Sequence, residues 1–277
     1  MPDSMKVDLG FVFAMPMEAA GLVDLLAESV TTKGNGRVFH RGRLKKASVV
    51  IVESGIGQEK AASATKALLD IFCPSFIVSA GYGGGLLPEL NRFSVHQPYL
   101  LLRKSDGKII DIVNNIPQIR KEITDENQQV TNETDTVHNI VTKNCSMLVT
   151  VDQPVMTASE KLLLGKESGA GLVDMETFAV AEVCNNLRNG DDSNGIIRFS
   201  AVRIILDTVE EELPKEVKRI LQSYDFSTAR LIGTTISSLF KRPSVIFDLY
   251  SLKERALQAT DILAKYIVAN IASGKYI

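Results

Sequence analysis

The stretch LVDMETFAVAEVC, residues Leu172–Cys184, joins a short apolar strand directly to an apolar helix. A strand that runs into a helix is the building unit of an α/β domain with a central sheet. Two acids, Asp174 and Glu176, stand on either side of Met175 at this junction. Acids at such a position either cap the helix or serve a site that requires negative charge. The stretch therefore indicates both a fold class and a place to look for chemistry.

The rest of the chain continues the alternation of short apolar runs and helix-length segments. Strands are predicted at 9–15, 37–44, 48–54, 76–81, 146–151, 169–175 and 196–207, and helices at 18–28, 59–72 and 159–168. The second and third of these strands are close enough in sequence to form a hairpin. Together the segments predict an α/β fold with a central mixed, twisted sheet flanked by helices.

Residues 1–277 are predicted to form one domain, because sheet-like segments continue through most of the chain. Residues 121–138 are polar and acidic with almost no apolar side chains, and we interpret them as an excursion from that domain. Residues 214–277 are predicted to be a helical C-terminal extension, with helices at 227–240 and 244–271 on either side of Pro243.

Composition excludes several classes of function. The chain has 277 residues, 45% of them apolar, and a formal charge of −2, and its Lys and Arg are scattered. It therefore has no electrostatic footprint for nucleic acid or a membrane surface. No apolar run approaches the roughly 18 residues of a membrane-spanning helix, and the first residues lack a signal-peptide pattern, so we expect a cytoplasmic protein. The three histidines and three cysteines show no ligand spacing, and neither a metal nor a cofactor is expected.

Acids recur where the predicted strands end. They are Glu18, Glu53, Asp174 with Glu176, and Asp207. Each could by itself be a helix cap, but the carboxyl ends of parallel strands meet at one edge of a sheet, which is where α/β proteins bind ligands. No Ser-His-Asp or Cys-His pairing can be built from the histidines. Acids without metal ligands suit the cleavage of a glycosidic bond, which requires a proton for the leaving group and an activated water.

A glycine-rich segment, SAGYGGGLL at 79–87, follows another predicted strand. Four of residues 81–85 are glycine, which predicts that the backbone turns tightly and that another group approaches it closely, with a plain tight turn as the alternative. The segment is not a dinucleotide fingerprint, because residue 86 is Leu, and it is not a P-loop, because no Gly-Lys-Ser/Thr follows.

Five stretches, in chain order, carry a family resemblance. They are FAMPMEAAGL at 13–22, ESGIGQEKAA at 53–62, SAGYGGGL at 79–86, VDMETFAVAEVC at 173–184 and VRIILD at 202–207. They resemble motifs of the nucleoside phosphorylase/nucleosidase superfamily, and most of all its methylthioadenosine/S-adenosylhomocysteine nucleosidase branch. The segments at 157–177 and 208–217 are similar to the bacterial hopanoid-associated nucleosidases. The resemblance implies a nucleoside phosphorylase-like fold.

The resemblance also implies roles for the acids. Glu18 matches the base that deprotonates a water attacking the anomeric carbon. Glu176 matches the acid that accepts hydrogen bonds from ribose hydroxyls, and at a helix N-terminus it is expected to stay ionised. Asp207 matches the acid that donates a proton toward purine N7, so its pKa is expected to be raised. Asp174 has no matching role and is expected to cap or pair.

Further positions are implied to bind the substrate. Met175 matches a residue packed under the sugar, or is an ordinary core methionine. Arg203 matches a residue that helps hold the water, or pairs with a carboxylate, or does both. Gly81 and Tyr82 belong to the glycine segment, and backbone near Val155 matches a contact to the base. Tyr82 and Leu206 replace serines that are usual in the family, which leaves the exact nucleoside open.

Three functions follow as alternatives. A purine nucleosidase acting on an adenosine-type nucleoside, with a small or a large 5′ substituent, is favoured, because the stretch AMPMEAAG at 14–21 carries an acid and no arginine to hold phosphate. A phosphate-dependent purine nucleoside phosphorylase is the second. A non-catalytic nucleoside-binding relative is the third, and the full set of acids argues against it. The expected partners are a small-molecule nucleoside and a second copy of the chain, in a homodimer.

Overall fold

The computed structural model describes residues 6–34, 36–112, 147–188, 197–213 and 243–276, with the side chains of the last helix from Leu252 onward. The strands are β1 (Leu9–Phe13), β2 (Ala27–Gly34), β3 (Arg37–Leu44), β4 (Ala47–Glu53), β5 (Phe76–Gly85), β6 (Val95–His96), β7 (Leu100–Arg103), β8 (Ile109–Asp111), β9 (Met147–Thr150), β10 (Leu172–Asp174) and β11 (Arg198–Asp207). The helices are α1 (Pro16–Val23), α2 (Gln58–Phe72), α3 (Ala158–Ser168), α4 (Thr177–Arg188) and α5 (Pro243–Ala272).

All the described strands belong to one mixed sheet. Its main path runs β2-β3-β4-β1-β5-β10-β9-β7-β8, and β11 pairs with β5 and with β6. β1 is parallel to β4 and β5, whereas β2, β3 and β4 form antiparallel hairpins and β10 is antiparallel to β5. The predicted class, a mixed sheet flanked by helices, is confirmed.

The sheet is covered by helices on both faces, because its strands alternate in the direction of their apolar side chains. On β1, Val12 packs with α2 and α4, whereas Phe11 and Phe13 pack with α1 and α5. Each fully buried large apolar side chain of this kind stabilises the fold by about 1.5–3 kcal/mol. The sheet therefore forms the middle layer of three, and its strand ends hold the loops that carry the acids.

The helix predicted at 18–28 ends at Val23, and Ala27–Gly34 is an edge strand instead. All eight residues of β2 are exposed. A strand exposed on both faces shows no alternation of apolar and polar residues, so the usual pattern for a strand is missing. What holds β2 is its hairpin pairing with β3.

The tight turn predicted at the glycine segment is wrong, because β5 continues in extended form through Gly85. None of its glycines has a positive φ. Larger residues do not fit easily in this segment, because neighbouring groups lie close to the strand. A Cβ on Gly84 would lie 3.0 Å from Val173 Cγ1 and 3.3 Å from Asp207 Oδ2. The close approach that was predicted together with the turn is confirmed.

Two other predicted segments fall wholly or partly outside the described residues. The polar excursion at 121–138 lies outside them, as do residues 214–242 of the C-terminal extension, including the helix predicted at 227–240. The helix predicted at 244–271 is confirmed by α5, which begins at Pro243 and packs against α1. No helix within the described parts of the chain has the length and apolar character needed to cross a membrane.

Candidate active site

The site residues predicted from the sequence come together at the carboxyl ends of β1, β5, β10 and β11. Glu18, Asp174, Glu176 and Arg203 are buried there, and the Asp207 side chain is 16% exposed. Glu53, the other acid at a strand end, instead pairs with His40 on β3, with its Oε1 2.9 Å from the ring Nε2.

Glu18 lies in the first turn of α1, directly after β1, and its carboxylate is held by three backbone N–H groups. Oε2 accepts hydrogen bonds from Ala14 N (3.0 Å) and Met15 N (2.9 Å), and Oε1 accepts one from Tyr82 N (2.9 Å). The bonds from Ala14 and Met15 tie the carboxylate to the start of its own helix, so Glu18 is also a helix cap. Burial nevertheless raises the pKa of Glu18, against the lowering effect of these bonds and of Arg203. A buried carboxylate with fixed N–H donors and a raised pKa is suited to act as a general base.

Asp174 is structural, as expected. Its Oδ2 accepts a hydrogen bond from Thr177 N (2.8 Å) at the start of α4, and its Oδ1 accepts one from Thr150 Oγ1 (2.7 Å). Oδ2 also lies 2.7 Å from Arg203 Nη2 in an ion pair whose side chains are 1% and 3% exposed. Asp174 therefore both caps the helix and pairs with the arginine.

Arg203 uses all its donors within the protein. A guanidinium has five N–H groups. Nε and Nη2 donate to Asp174 Oδ2, Nη2 donates also to Ser79 Oγ, and Nη1 donates to the carbonyl oxygens of Ser79 and Val202. No donor is left to hold a water molecule, so the carboxylate-pairing alternative is the one the structure favours. Its charge still acts at a distance, lowering the pKa of both Glu18 and Glu176.

Glu176 directly precedes α4, and its Oε1 accepts a hydrogen bond from Gly57 N (2.8 Å) at the start of α2. Burial first, and the charge of Asp174 second, raise the pKa of Glu176 to about 8. The raised pKa runs against the expectation that this acid stays ionised. The reason is that desolvation and two neighbouring acids outweigh the helix terminus.

Asp207 ends β11 at a β-bulge, where the register with β5 shifts between Ile205 and Asp207. The bulge places the extra residue at Leu206 and redirects the side chains that follow. Burial raises the pKa of Asp207, whereas the adjacent Lys161 and then Arg92 lower it. The raised pKa predicted for this acid is confirmed in direction.

Lys161 was not among the predicted site residues, although its side chain is completely buried against Asp207. In the sequence SEKLLLGKES it reads as a solvent-exposed lysine beside three leucines. In the structure Lys161 is buried together with Leu164 and Gly165, whereas Leu162 and Leu163 are exposed. The only sequence signal is that Lys161, Leu164 and Gly165 share a helical face.

The remaining predicted residues surround the acids. Met175 and Val155 pack against one apolar cluster, which includes Val173 and Leu164 and lies beside the Asp207 end of the site. The Tyr82 side chain is directed toward α5, where its hydroxyl donates to Ala256 O (2.9 Å) and lies 2.6 Å from Thr260 Oγ1. The Tyr82 backbone N–H donates to Glu18.

Comparison with known proteins gives this site a context. The sequence profile described as the phosphorylase superfamily matches residues 8–237, which span all the site residues named above. The chain belongs to the phosphorylase superfamily.

Several curated relatives in this superfamily are 5′-methylthioadenosine/S-adenosylhomocysteine nucleosidases. The protein of Colwellia psychrerythraea is 24% identical over 246 residues, which cover 83% of this chain and 96% of the relative. The protein of Staphylococcus haemolyticus is 27% identical over 242 residues, which cover 83% of this chain and 100% of the relative. The predicted membership of the nucleoside phosphorylase/nucleosidase superfamily is confirmed.

Solved structures agree on the fold. The futalosine hydrolase of Helicobacter pylori matches with a TM-score of 0.64 and 16% identity, covering 96% of this chain and 97% of that chain. The methylthioadenosine/S-adenosylhomocysteine nucleosidase of the same organism, in complex with a pyrrolidine ligand, matches with a TM-score of 0.65 and 16% identity, covering 98% and 100%.

Proposed function

We propose that this member of the phosphorylase superfamily is a nucleosidase that hydrolyses the N-glycosidic bond of an adenosine-type nucleoside. The observation that carries the proposal is a pair of differently supported acids, the buried Glu18 and the partly buried Asp207, beside the same strand β5. Glu18 contacts β5 at Gly81 and Tyr82, and Asp207 contacts it at Gly84. Two acids with separate environments are what a reaction needs when one group removes a proton and another supplies one.

Glu18 acts as the general base in this proposal. Three N–H donors favour its carboxylate form and fix its orientation, which leaves acceptor capacity for one water molecule. As the water attacks C1′ of the ribosyl group, its proton passes to Glu18. The raised pKa makes the carboxylate a stronger base than an ordinary glutamate.

Glu176 binds the ribose hydroxyls in this proposal. Its Oε1 is held by Gly57 N, and its second oxygen is available to the sugar. With a pKa of about 8 in the empty site, Glu176 ionises more readily once hydroxyl donors and a cationic sugar lie beside it. The positive charge that develops on the sugar is thereby stabilised more than the neutral ground state is.

Asp207 donates a proton to N7 of the base in this proposal. Met175 packs under the sugar, and backbone near Val155 contacts the base. Protonation of N7 makes the base a better leaving group, because the electron pair of the C1′–N9 bond moves onto a protonated ring and the base leaves as a neutral molecule instead of an anion. Burial raises the pKa of Asp207, which favours its use as a proton donor.

Water is favoured over phosphate as the nucleophile, because the described groups around Glu18 offer no free guanidinium to hold an anion. Glu18, Asp174 and Glu176 are acids. All five N–H donors of Arg203 are bonded to protein acceptors. A phosphate ion placed there would find no free guanidinium to hold it.

The proposal is tested by incubating the purified protein with methylthioadenosine, adenosylhomocysteine, adenosine and inosine, each with and without phosphate, and measuring free base by chromatography. Release of adenine without phosphate is the expected result. Strict dependence on phosphate would mean a phosphorylase, and saturable binding without release would mean a binding protein. Glu18→Gln is the matched inactive control, since it keeps the size of the side chain.

We further propose that the protein is a cytoplasmic homodimer; the cytoplasmic location is inferred from the sequence, and the dimer from the family resemblance. Light scattering of the purified protein, together with fractionation of its native host, tests both parts. A monomer at micromolar concentration would contradict the proposed homodimer.

A further inference from the structure

Lys161 is the one described lysine that is completely buried, with a side-chain exposure of 0%. A lysine is almost never fully buried without a partner, because removal of its charge from water is costly. Lys161 nevertheless occupies the buried face of α3, whereas two leucines of that helix are more than half exposed. Lys161 thus occupies a position that an apolar side chain could fill, which indicates that its charge has a function.

The ammonium group of Lys161 has as many acceptors as it has protons. Nζ donates to the carbonyl oxygens of Thr208 (2.8 Å) and Glu211 (2.8 Å), and it forms an ion pair with Asp207 Oδ2. The two carbonyls belong to the chain that directly follows β11, so they hold the ammonium at the end of that strand. Oδ2 of Asp207 is thereby fixed, and Oδ1 accepts no hydrogen bond from the described residues.

The arrangement suits an acid that must release its proton quickly and not merely hold it. Burial favours the protonated carboxyl, and the lysine favours the carboxylate. An acid under burial alone would keep its proton through the reaction. A fixed cation lowers the energy of the carboxylate that forms on transfer, without any movement of the protein at that moment.

We propose that Lys161 is a positioning residue for the reaction: it fixes Oδ2 of Asp207 so that Oδ1 faces the base, and its charge stabilises the carboxylate left when the proton passes from Oδ1 to N7. The inference rests on the proposed function. In this step the C1′–N9 bond breaks, its electron pair moves to the base, and N7 gains the proton that Asp207 loses. Water adds its oxygen to C1′ and gives a proton to Glu18. Exchange of protons with solvent restores both acids, and Lys161 keeps its charge throughout.

Other charged groups near Asp207 do not replace the lysine. Arg92 lowers the pKa of Asp207 less than Lys161 does. It is itself paired with Glu211, which also pairs with Arg255 at 3.3 Å. This cluster lies at the more exposed side of Asp207, where its side chains are 26% to 39% exposed, so water screens it.

Lys161→Met tests the proposal, with Lys166→Met on the exposed face of the same helix as the control. For a purine nucleoside we expect kcat to fall on the order of 100-fold in Lys161→Met, with little change in KM and none in the control. With 4-nitrophenyl riboside, whose leaving group needs no proton, both variants should keep wild-type rates. The basic limb of the kcat profile should move to higher pH in Lys161→Met, because Asp207 loses a stabilising cation. Equal losses on both substrates with an unmoved limb would overturn the proposal.

A readout that does not depend on turnover separates this inference from the proposed function. The Asp207 carboxyl can be titrated by carbon NMR in the wild type and in Lys161→Gln, which serves if the methionine variant does not fold. A higher titration midpoint in the variant supports the pairing, and an equal midpoint overturns it. If the wild type releases no base from any nucleoside, the proposed function fails. The titration still decides whether Lys161 lowers the pKa of Asp207.

Discussion

Gly81 lies so close to Glu18 that the strand cannot carry a side chain there without moving the carboxylate. A Cβ at residue 81 would lie 2.9 Å from Glu18 Oε1 and 3.1 Å from its carboxyl carbon. The next residue, Tyr82, donates its backbone N–H to the same oxygen. The glycine therefore allows β5 to pack directly against the carboxylate of the proposed base and, at the next residue, to donate a hydrogen bond to it.

Gly81→Ala should reduce kcat/KM on the order of 10- to 100-fold, because the carboxylate must shift or lose the bond from Tyr82 N. Steady-state assays of base release measure the effect. Gly34→Ala is the matched control, since a Cβ there meets nothing within 4 Å. Full activity of Gly81→Ala would show that the position of Glu18 is not critical.

Asp174→Asn should destabilise the protein by roughly 3 kcal/mol, because it leaves the buried guanidinium of Arg203 without its carboxylate. Both side chains are almost fully buried. Urea unfolding at pH 7 measures the loss. The control is Asp261→Asn, which removes the exposed partner of Lys265 and should cost less than about 0.5 kcal/mol. Equal effects of the two substitutions would contradict the account of the buried pair.

The acids of the site could be found from the sequence because each follows a predicted strand. Glu18, Glu176 and Asp207 needed no knowledge of long-range packing beyond the rule that strand ends meet. Lys161 could not be found in this way, since a lysine beside three leucines gives no sign of which face the helix buries. The raised pKa of Glu176 could not be predicted for a related reason: the pattern shows the helix terminus, but not the burial and the neighbouring acids that raise the pKa.

Tyr82→Phe should cost about 1 kcal/mol of stability and change KM less than threefold, because its hydroxyl bonds to α5 and its backbone N–H donates to Glu18. Thermal unfolding and steady-state kinetics measure the two effects. Tyr276→Phe, which removes the hydroxyl that accepts from Gln97 Nε2, should cost a similar amount of stability and leave KM unchanged. A large rise in KM for Tyr82→Phe alone would instead place the ring against the substrate.

Glu176→Gln should make the protein more stable than the wild type at alkaline pH and strongly reduce its activity. The folded protein holds the proton of Glu176 with a pKa of about 8, against an ordinary value of 4.5. The folded state therefore binds this proton more tightly than the unfolded state does. The stability that follows is fully present below pH 4.5 and is lost as the pH rises through about 8.

A neutral glutamine has no proton to lose, so the difference in free energy of unfolding between the variant and the wild type should increase between pH 6 and pH 9. Urea unfolding at both values should show Glu176→Gln gaining at least about 1 kcal/mol relative to the wild type at the higher pH. Glu59→Gln, on the exposed side of α2, should show no such gain. A constant difference across this range would mean that Glu176 is already ionised in the empty site. The gain at pH 9 would measure the stability that the protein gives up to keep an ionisable acid beside the sugar.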